Sequence, residues 1–295
     1  TQTQTFTGNL NGKTAAVANG VTLTAAAADL TGDTVTAGGS GNIAITALHS
    51  TPSANLSGLS SSSGTVTAAF DGNATFTGTL GTAVVTVADS VTMTAAYSKL
   101  NGKTINHDGS ESGQALVVLL PAADAAADLN NITSNITNLT ANFTENQTFT
   151  GNLRSKTATV TDSVTVTAAF SVLTGQTINH DGSESGQAVV VSIASADASA
   201  DLNNITSNIT NFTANFTENQ TFTGNLNSKT ATVTDSVTVT AAFSKLTGQT
   251  INHDGSESSQ AVVVSIASAD ASANLALITS NITNFTANFT ENQTF

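Results

Sequence analysis

Apolar and polar residues alternate along much of this chain with a period of two. Ala158 and Val160 stand between Thr157, Thr159 and Thr161, and after Asp162-Ser163 the residues Val164, Val166 and Ala168 stand between Thr165 and Thr167. Successive side chains of a strand point to opposite faces, so the pattern predicts strands with an apolar inner face and threonine outside. Ile178 then precedes a polar loop, 179–186, after which Val189-Val-Val191, Ser192 and Ile193 resume a strand. Thr221-Phe222-Thr223 shows the same alternation. One segment departs from it. Ile132, Ile136, Leu139 and Phe143 are spaced four, three and four apart, which is a helical heptad pattern. Asn131, Thr133, Asn135, Thr137, Asn138 and Thr140 between them are weak helix formers. The segment reads as strand with bends, with a helix as the alternative.

The strands recur as larger units. Phe149 to Thr221 returns as Phe222 to Thr294 with six changes, and one Phe marks every copy: Phe6, Phe76, Phe149, Phe222 and Phe295. The copies are 1–75, 76–148, 149–221 and 222–295. Within them a smaller phrase repeats, Leu followed by three mostly polar residues and usually Thr, at Leu10, Leu30, Leu56, Leu80, Leu100, Leu129, Leu153, Leu173, Leu202, Leu226, Leu246 and Leu275. From Leu129 the spacings run 24, 20, 29 and then the same again. Each Leu is expected at an inward corner, with the polar tripeptide as a turn. A fixed period with varying coil length is the signature of a solenoid with loops inserted in the stack. The predicted fold is all-β: a parallel β-solenoid (β-helix) of four tandem repeats of about 73 residues, with three coils per repeat. Leu153, Val160, Val166, Phe170, Leu173, Ile178 and Phe149 are the expected inward residues. Coils about 4.8 Å apart advance about 14 Å per copy. Neither end shows a polar cap, and Thr294-Phe295 is as strand-like as the interior. Solenoid ends expose strand edges, so the expectation is that the chain continues or that another subunit covers the edge. Phe6 and Phe295 are the expected contacts of such a joint.

Composition narrows the partners. Seven Lys and Arg face twenty Asp and Glu, a net charge of −13, which argues against nucleic acid and against anionic membrane surfaces. No run reaches the length of a membrane helix. There is no Cys, so disulfides, thiolate metal sites and Cys nucleophiles are excluded.

Three motifs carry candidate chemistry. The loop Asn-His-Asp-Gly-Ser-Glu-Ser occurs three times, with carboxylates at Asp108 and Glu111, Asp181 and Glu184, and Asp254 and Glu257. Such oxygens suit calcium, although a full site takes six or more of them. The alternative is a solvated turn with Asp-Gly at its tip. The first copy has Thr36-Ala-Gly-Gly-Ser-Gly41 instead. The loop is expected once every third coil, on one side. His107, His180 and His253 lie beside these Asp residues, too far apart along a stack to share a zinc ion, and are expected at the surface. Asn-x-Thr sequons are dense: Asn131, Asn135, Asn138, Asn142, Asn146, Asn204, Asn208, Asn211, Asn215, Asn219, Asn281, Asn284, Asn288 and Asn292, with Asn73 earlier. They are candidate glycan acceptors in a secreted protein. Otherwise they decorate strands and bends. Thr-x-Thr triplets such as Thr165-Val-Thr167 are similar to the ice-binding faces of antifreeze β-solenoids, but the coils within a copy differ. An active site is usually one asymmetric pocket, so no enzyme activity is expected.

The phrases Ala-Asp-Leu-Thr-Gly (28–32), Thr-Phe-Thr-Gly-Asn-Leu (148–153) and Val-Thr-Val-Thr-Ala-Ala-Phe (164–170) resemble the repeats of very large bacterial or archaeal surface and matrix fibre proteins. That resemblance implies a structural segment of an extracellular filament or cell-surface fibre, joined to itself end to end or to further repeats of one longer chain. An adhesin binding through the repeated loops is the alternative, and an ice-binding solenoid a more distant one.

Overall fold

A computed structural model describes residues 2–292 and 294. The chain is an all-β parallel β-solenoid. Every strand pairing named below is parallel. It falls into two compact units, Thr1–Asn142 with Asn152–Lys156, and Phe143–Gly151 with Thr157–Phe295.

In the first unit one sheet runs through Gln2–Phe6, Val21–Ala26, Asn42–Thr46, Val66–Phe70, Val84–Val87, Thr104–His107 and Thr133–Ser134, in that order. A second sheet holds Thr14–Val17, Thr34–Ala37 and Leu59–Ser61. A third ladder stacks Ala74–Phe76, Thr92–Ala96 and Ala115–Leu120. In the second unit the long sheet runs Gln147–Phe149, Thr165–Ala169, Ala188–Ile193, Phe212–Phe216, Thr230–Val233, Thr250–His253 and Thr279–Ser280. Beside it lie the four-strand sheet Gln220–Phe222, Thr238–Ala242, Ala261–Ile266 and Phe285–Phe289, and the pair Ala158–Val160 and Ile178–His180.

Registers show how the coils close. Ala158 pairs with Ile178, Thr177 with Thr206, and Asp201 with Asn225. Those separations, 20, 29 and 24 residues, are the leucine spacings. The leucines are therefore corner posts: Leu30, Leu56, Leu80, Leu100, Leu129, Leu153, Leu173, Leu202, Leu226 and Leu246 are all buried. Leu10 and Leu275 are half-buried. Three local structures reach the same corner. After Leu153 the turn places Arg154 and Ser155 at φ 55° and 53°, and Asn227 and Ser228 follow Leu226 in the same left-handed conformation, at φ 53° and 56°. Leu173 ends a single helical turn, Phe170–Leu173. Leu202 starts a 3-10 turn, Leu202–Asn204, capped by the Asp201 carboxylate accepting from the Asn203 N–H. The inward residue is constant because the corner must be filled, whereas the turn beyond it faces water and varies.

The expected core is largely in place. Phe149, Leu153, Val160, Val166, Leu173 and Ile178 are fully buried. Phe170 corrects the expectation: it begins the helical turn and is only half-buried. The heptad-spaced segment is strand with bends. It forms a 3-10 turn Leu129–Asn131, a short strand Thr133–Ser134 and a strand Leu139–Phe143. The Ser134 hydroxyl accepts from the Ile136 N–H and makes the bend, so the spacing of Ile132, Ile136, Leu139 and Phe143 comes from a turn between inward positions.

One feature was not visible in the period. Gln147 pairs with Val166, Val166 with Val189, and Val189 with Phe212, which is three coils. Eight residues later Gln220, the counterpart of Gln147, starts a different sheet with Val239 as its partner. The sheet it left continues with strands of the fourth copy, Thr213 pairing with Thr230 and Phe216 with Val233. A copy is thus three coils plus one step to the next sheet. The polar loop therefore lies between different sheets in different copies. In the third copy the loop leads into the long sheet at Ala188–Ile193, and in the fourth it leads out of that sheet from Thr250–His253.

Candidate functional site

The repeated polar loop is the most elaborate surface feature, and it is held by two neighbouring coils. In the third copy it spans Ile178–His180 to Ala188–Ile193. Its anchor is Gln187, which is completely buried. The Gln187 Oε1 accepts from the Ser185 N–H at 2.5 Å, and its Nε2 donates to the Ser183 carbonyl at 3.1 Å and to Asp162 Oδ1 at 2.8 Å. Asp162 belongs to the tight turn of the preceding coil. Gln114 with Asp89, and Gln260 with Asp235, repeat the arrangement. A buried amide must satisfy both its ends, and here doing so fixes the loop's path. Sequence reasoning passed over Gln114, Gln187 and Gln260. Their recurrence at one position after three polar loops was the available signal.

The following coil clasps the loop from its other side. Asn208 Oδ1 accepts from the His180 N–H at 2.9 Å. Thr210 donates from its N–H and its hydroxyl to Glu184 Oε1, at 2.5 and 2.6 Å. Asn135 and Thr137 hold His107 and Glu111 in the same way, as Asn281 and Thr283 hold His253 and Glu257. The sequon Asn-Ile-Thr and the carboxylate loop, separate motifs in the sequence, are one hydrogen-bonded unit across two coils. The Thr210 hydroxyl and N–H hold the Glu184 carboxyl below its ordinary value, and Thr137 and Thr283 do the same for Glu111 and Glu257.

The calcium candidates separate within this unit. Glu111, Glu184 and Glu257 each spend an oxygen on threonine, whereas Asp108, Asp181 and Asp254 are exposed at the loop. Among the described residues no group of three or more His, Cys, Asp or Glu converges on a point. The histidines correct the surface expectation. His107, His180 and His253 are half-buried, and the Nδ1 atoms of His180 and His253 are shielded from solvent.

None of the sequon asparagines is buried. Asn131, Asn135, Asn138, Asn146, Asn204, Asn208, Asn211, Asn219, Asn281, Asn284, Asn288 and Asn292 are exposed, and Asn142 and Asn215 are partly covered on strands. Several act as ladder acceptors: Asn146 takes the Thr165 N–H and Asn219 the Thr238 N–H, each at 2.7 Å. Phe6 is half-buried at the end of the first strand, and Phe295 lies outside the described residues.

The first copy closes its loop differently. The Asn19 carboxamide, in the place of Asp162, accepts from the Ser40 N–H at 2.9 Å and its hydroxyl at 3.0 Å. Gly39 sits at φ +53°, and a Cβ there would lie 2.4 Å from Asn19 Oδ1. A short glycine turn thus replaces the clasped loop. The first copy also carries a hydrogen-bonded chain of its own, Ser50 to His49 Nε2 at 2.9 Å and His49 Nδ1 to Asp71 at 2.5 Å, which ties adjacent coils. On the outer face of the long sheet the threonine column is interrupted: Thr148 pairs with Thr167, Thr167 with Val190, Val190 with Thr213 and Thr213 with Thr230.

No family model, curated protein or solved structure matches the chain. The class that the fold defines is the parallel β-solenoid.

Proposed function

We propose that this chain is a structural segment of an extracellular filament or cell-surface fibre, mechanical rather than catalytic. One observation carries the reading. The ladder crosses from one copy to the next without a break: Phe212–Phe216 pairs with Thr230–Val233 in the same parallel fashion as the strands within a copy. Copies added in this way build length, and the backbone ladders along the stack give stiffness. Acidic, threonine-rich sides keep neighbouring fibres soluble and apart. Electron microscopy of the native particle tests the reading. A continuous filament with an axial spacing near 14 Å or a multiple of it supports it, and compact isolated particles contradict it.

A second reading has its own observation. The clasped loop holds Asp181, Gly182 and Ser183 outward on a rigid base, as an adhesin would present a binding tip. Removing residues 179–186 separates the two. Assembly retained with attachment lost favours the adhesin. The interrupted threonine column speaks against an ice-binding face, and thermal hysteresis in a dilute solution would reopen that option.

A further inference from the structure

The first copy closes one seam between coils with three groups in series. Just beyond the strand Asn42–Thr46, the Ser50 hydroxyl lies 2.9 Å from His49 Nε2, and His49 Nδ1 lies 2.5 Å from Asp71 Oδ1 on the next coil. The third and fourth copies close the corresponding seam directly. There Ser195 and Ser268 each donate an N–H and a hydroxyl to one carboxylate, Glu218 and Glu291. Joining the coils therefore does not require an imidazole. The first copy is shaped to hold one. Gly72 stands two residues past Phe70, where Glu218 stands two past Phe216, and a Cβ on Gly72 would lie 2.6 Å from His49 Cδ2 and 3.0 Å from Nε2. Ala47, at the start of the turn that carries His49 and Ser50, is at φ 54°, a left-handed conformation uncommon for a residue with a side chain. Backbone strain of this kind collects at functional sites. The Asp71 carboxylate accepts, so Nδ1 carries the imidazole proton and Nε2 accepts from the Ser50 hydroxyl.

We propose that Ser50 is a nucleophile that accepts acyl groups from esters, with His49 as its base and Asp71 as the group that orients the imidazole. A hydroxyl bonded to a base that a third group orients is the general arrangement of an activated nucleophile, recognised by geometry and not by order in the chain. Ser50 Oγ bonds to the carbonyl carbon of the ester while its proton passes to His49 Nε2. The bond from that carbon to the alcohol oxygen then breaks, and the departing oxygen takes the proton from Nε2. The products are acyl-Ser50 and the free alcohol, with the imidazole returned to its starting form. Asp71 accepts a hydrogen bond throughout and exchanges no proton. Ser50 is exposed on an outer turn and His49 is half-buried beneath it, so the substrates within reach are unhindered esters such as acetyl esters. This inference does not rest on the fibre reading and adds covalent chemistry to a chain whose role there is mechanical.

An alkyl fluorophosphonate tests this on the whole chain, with phosphorus in the place of the carbonyl carbon and fluoride as the leaving group. Peptide mass spectrometry compares the adduct on Ser50 with that on Ser53, which is also exposed and lies three residues on. The expected result is about a hundredfold more adduct on Ser50, the low end of what a positioned base contributes, and loss of that excess in H49Q. D71N should lower the excess, and an excess unchanged in D71N overturns the role of Asp71. p-Nitrophenyl acetate should acetylate Ser50 in the unmodified chain and not in H49Q. Equal adduct on the two serines, adduct on neither, or an excess on Ser50 that H49Q keeps overturns the proposal. The comparison of the two serines is made in the unmodified chain, so it stands even if H49Q loosens the seam. Filaments are read separately by microscopy, so the proposal and the fibre reading fail by different results.

Discussion

Phe-Thr-Ala-Asn-Phe occurs at 212–216 and again at 285–289, and among the described residues only the first of these strands has a further strand paired above it. In the first, Phe212, Ala214 and Phe216 are buried beneath Thr230–Val233, and Phe216 packs edge-on to Phe222 at 5.2 Å. In the second, the two Phe residues are half-buried and exposed, and the residues between them are exposed. Identical residues are core in one place and surface in the other. In a solenoid burial belongs to the neighbouring coil, and the sequence supplies only the side of the strand that can be buried.

The largest expected effect tests that difference directly. Phe216→Ala should cost about 3–5 kcal/mol, the range for truncating a buried aromatic, and Phe289→Ala no more than about 0.5 kcal/mol in the monomer, as at other surface sites. Denaturant melts of both variants decide this, and similar losses would break the comparison. Next in size is the loop anchor. Gln187→Ala leaves the Ser185 N–H and one Asp162 oxygen without their partner and should cost about 1–3 kcal/mol, read from the same melts. A loss as small as that of an exposed polar residue would mean the loop is held by its Thr210 clasp alone.

Smaller effects depend on pH. The carboxyls of Glu184 and Glu257 are lowered by threonine, and those of Glu218 and Glu291 by Ser195 and Ser268. A carboxyl lowered on folding contributes stability that is present above its unfolded value, 4.5, and lost as pH falls through the lower folded value. Melting temperature should therefore drop below about pH 4.5, and E184Q should flatten that drop. Asp197 runs the other way. Burial raises its carboxyl, so its charge opposes folding at neutral pH, and D197N should raise the melting temperature slightly at pH 7 and leave it unchanged at low pH.

Period-two alternation was enough to place the strands, and the leucine phrase the corners, because both report a single inward side. Coil length was legible for the same reason, since the leucine spacings reappear as pairing registers. The step to a new sheet at each copy was not. It arises where Gln220–Phe222 follows Phe212–Phe216 and opens a new sheet, and nothing in the alternation of a three-residue strand states which neighbour it will pair with. Phe170 was misplaced because alternation was carried past Ala169 into a helical turn. The loop and the sequons stand apart in the sequence. Their link runs between coils, from Glu184 to Thr210 and from His180 to Asn208, a distance of a whole coil that local spacing does not encode.

The central claim is that a stacked coil, and not the strand's own sequence, confers protection. Amide hydrogen exchange on residues 212–216 and 285–289 tests it most directly, because the two segments share a sequence and so share intrinsic exchange rates. In the dilute monomer the amides of 212–216 should exchange only near the limit of global unfolding, and those of 285–289 far faster. Equal protection of the two segments in the monomer would contradict it.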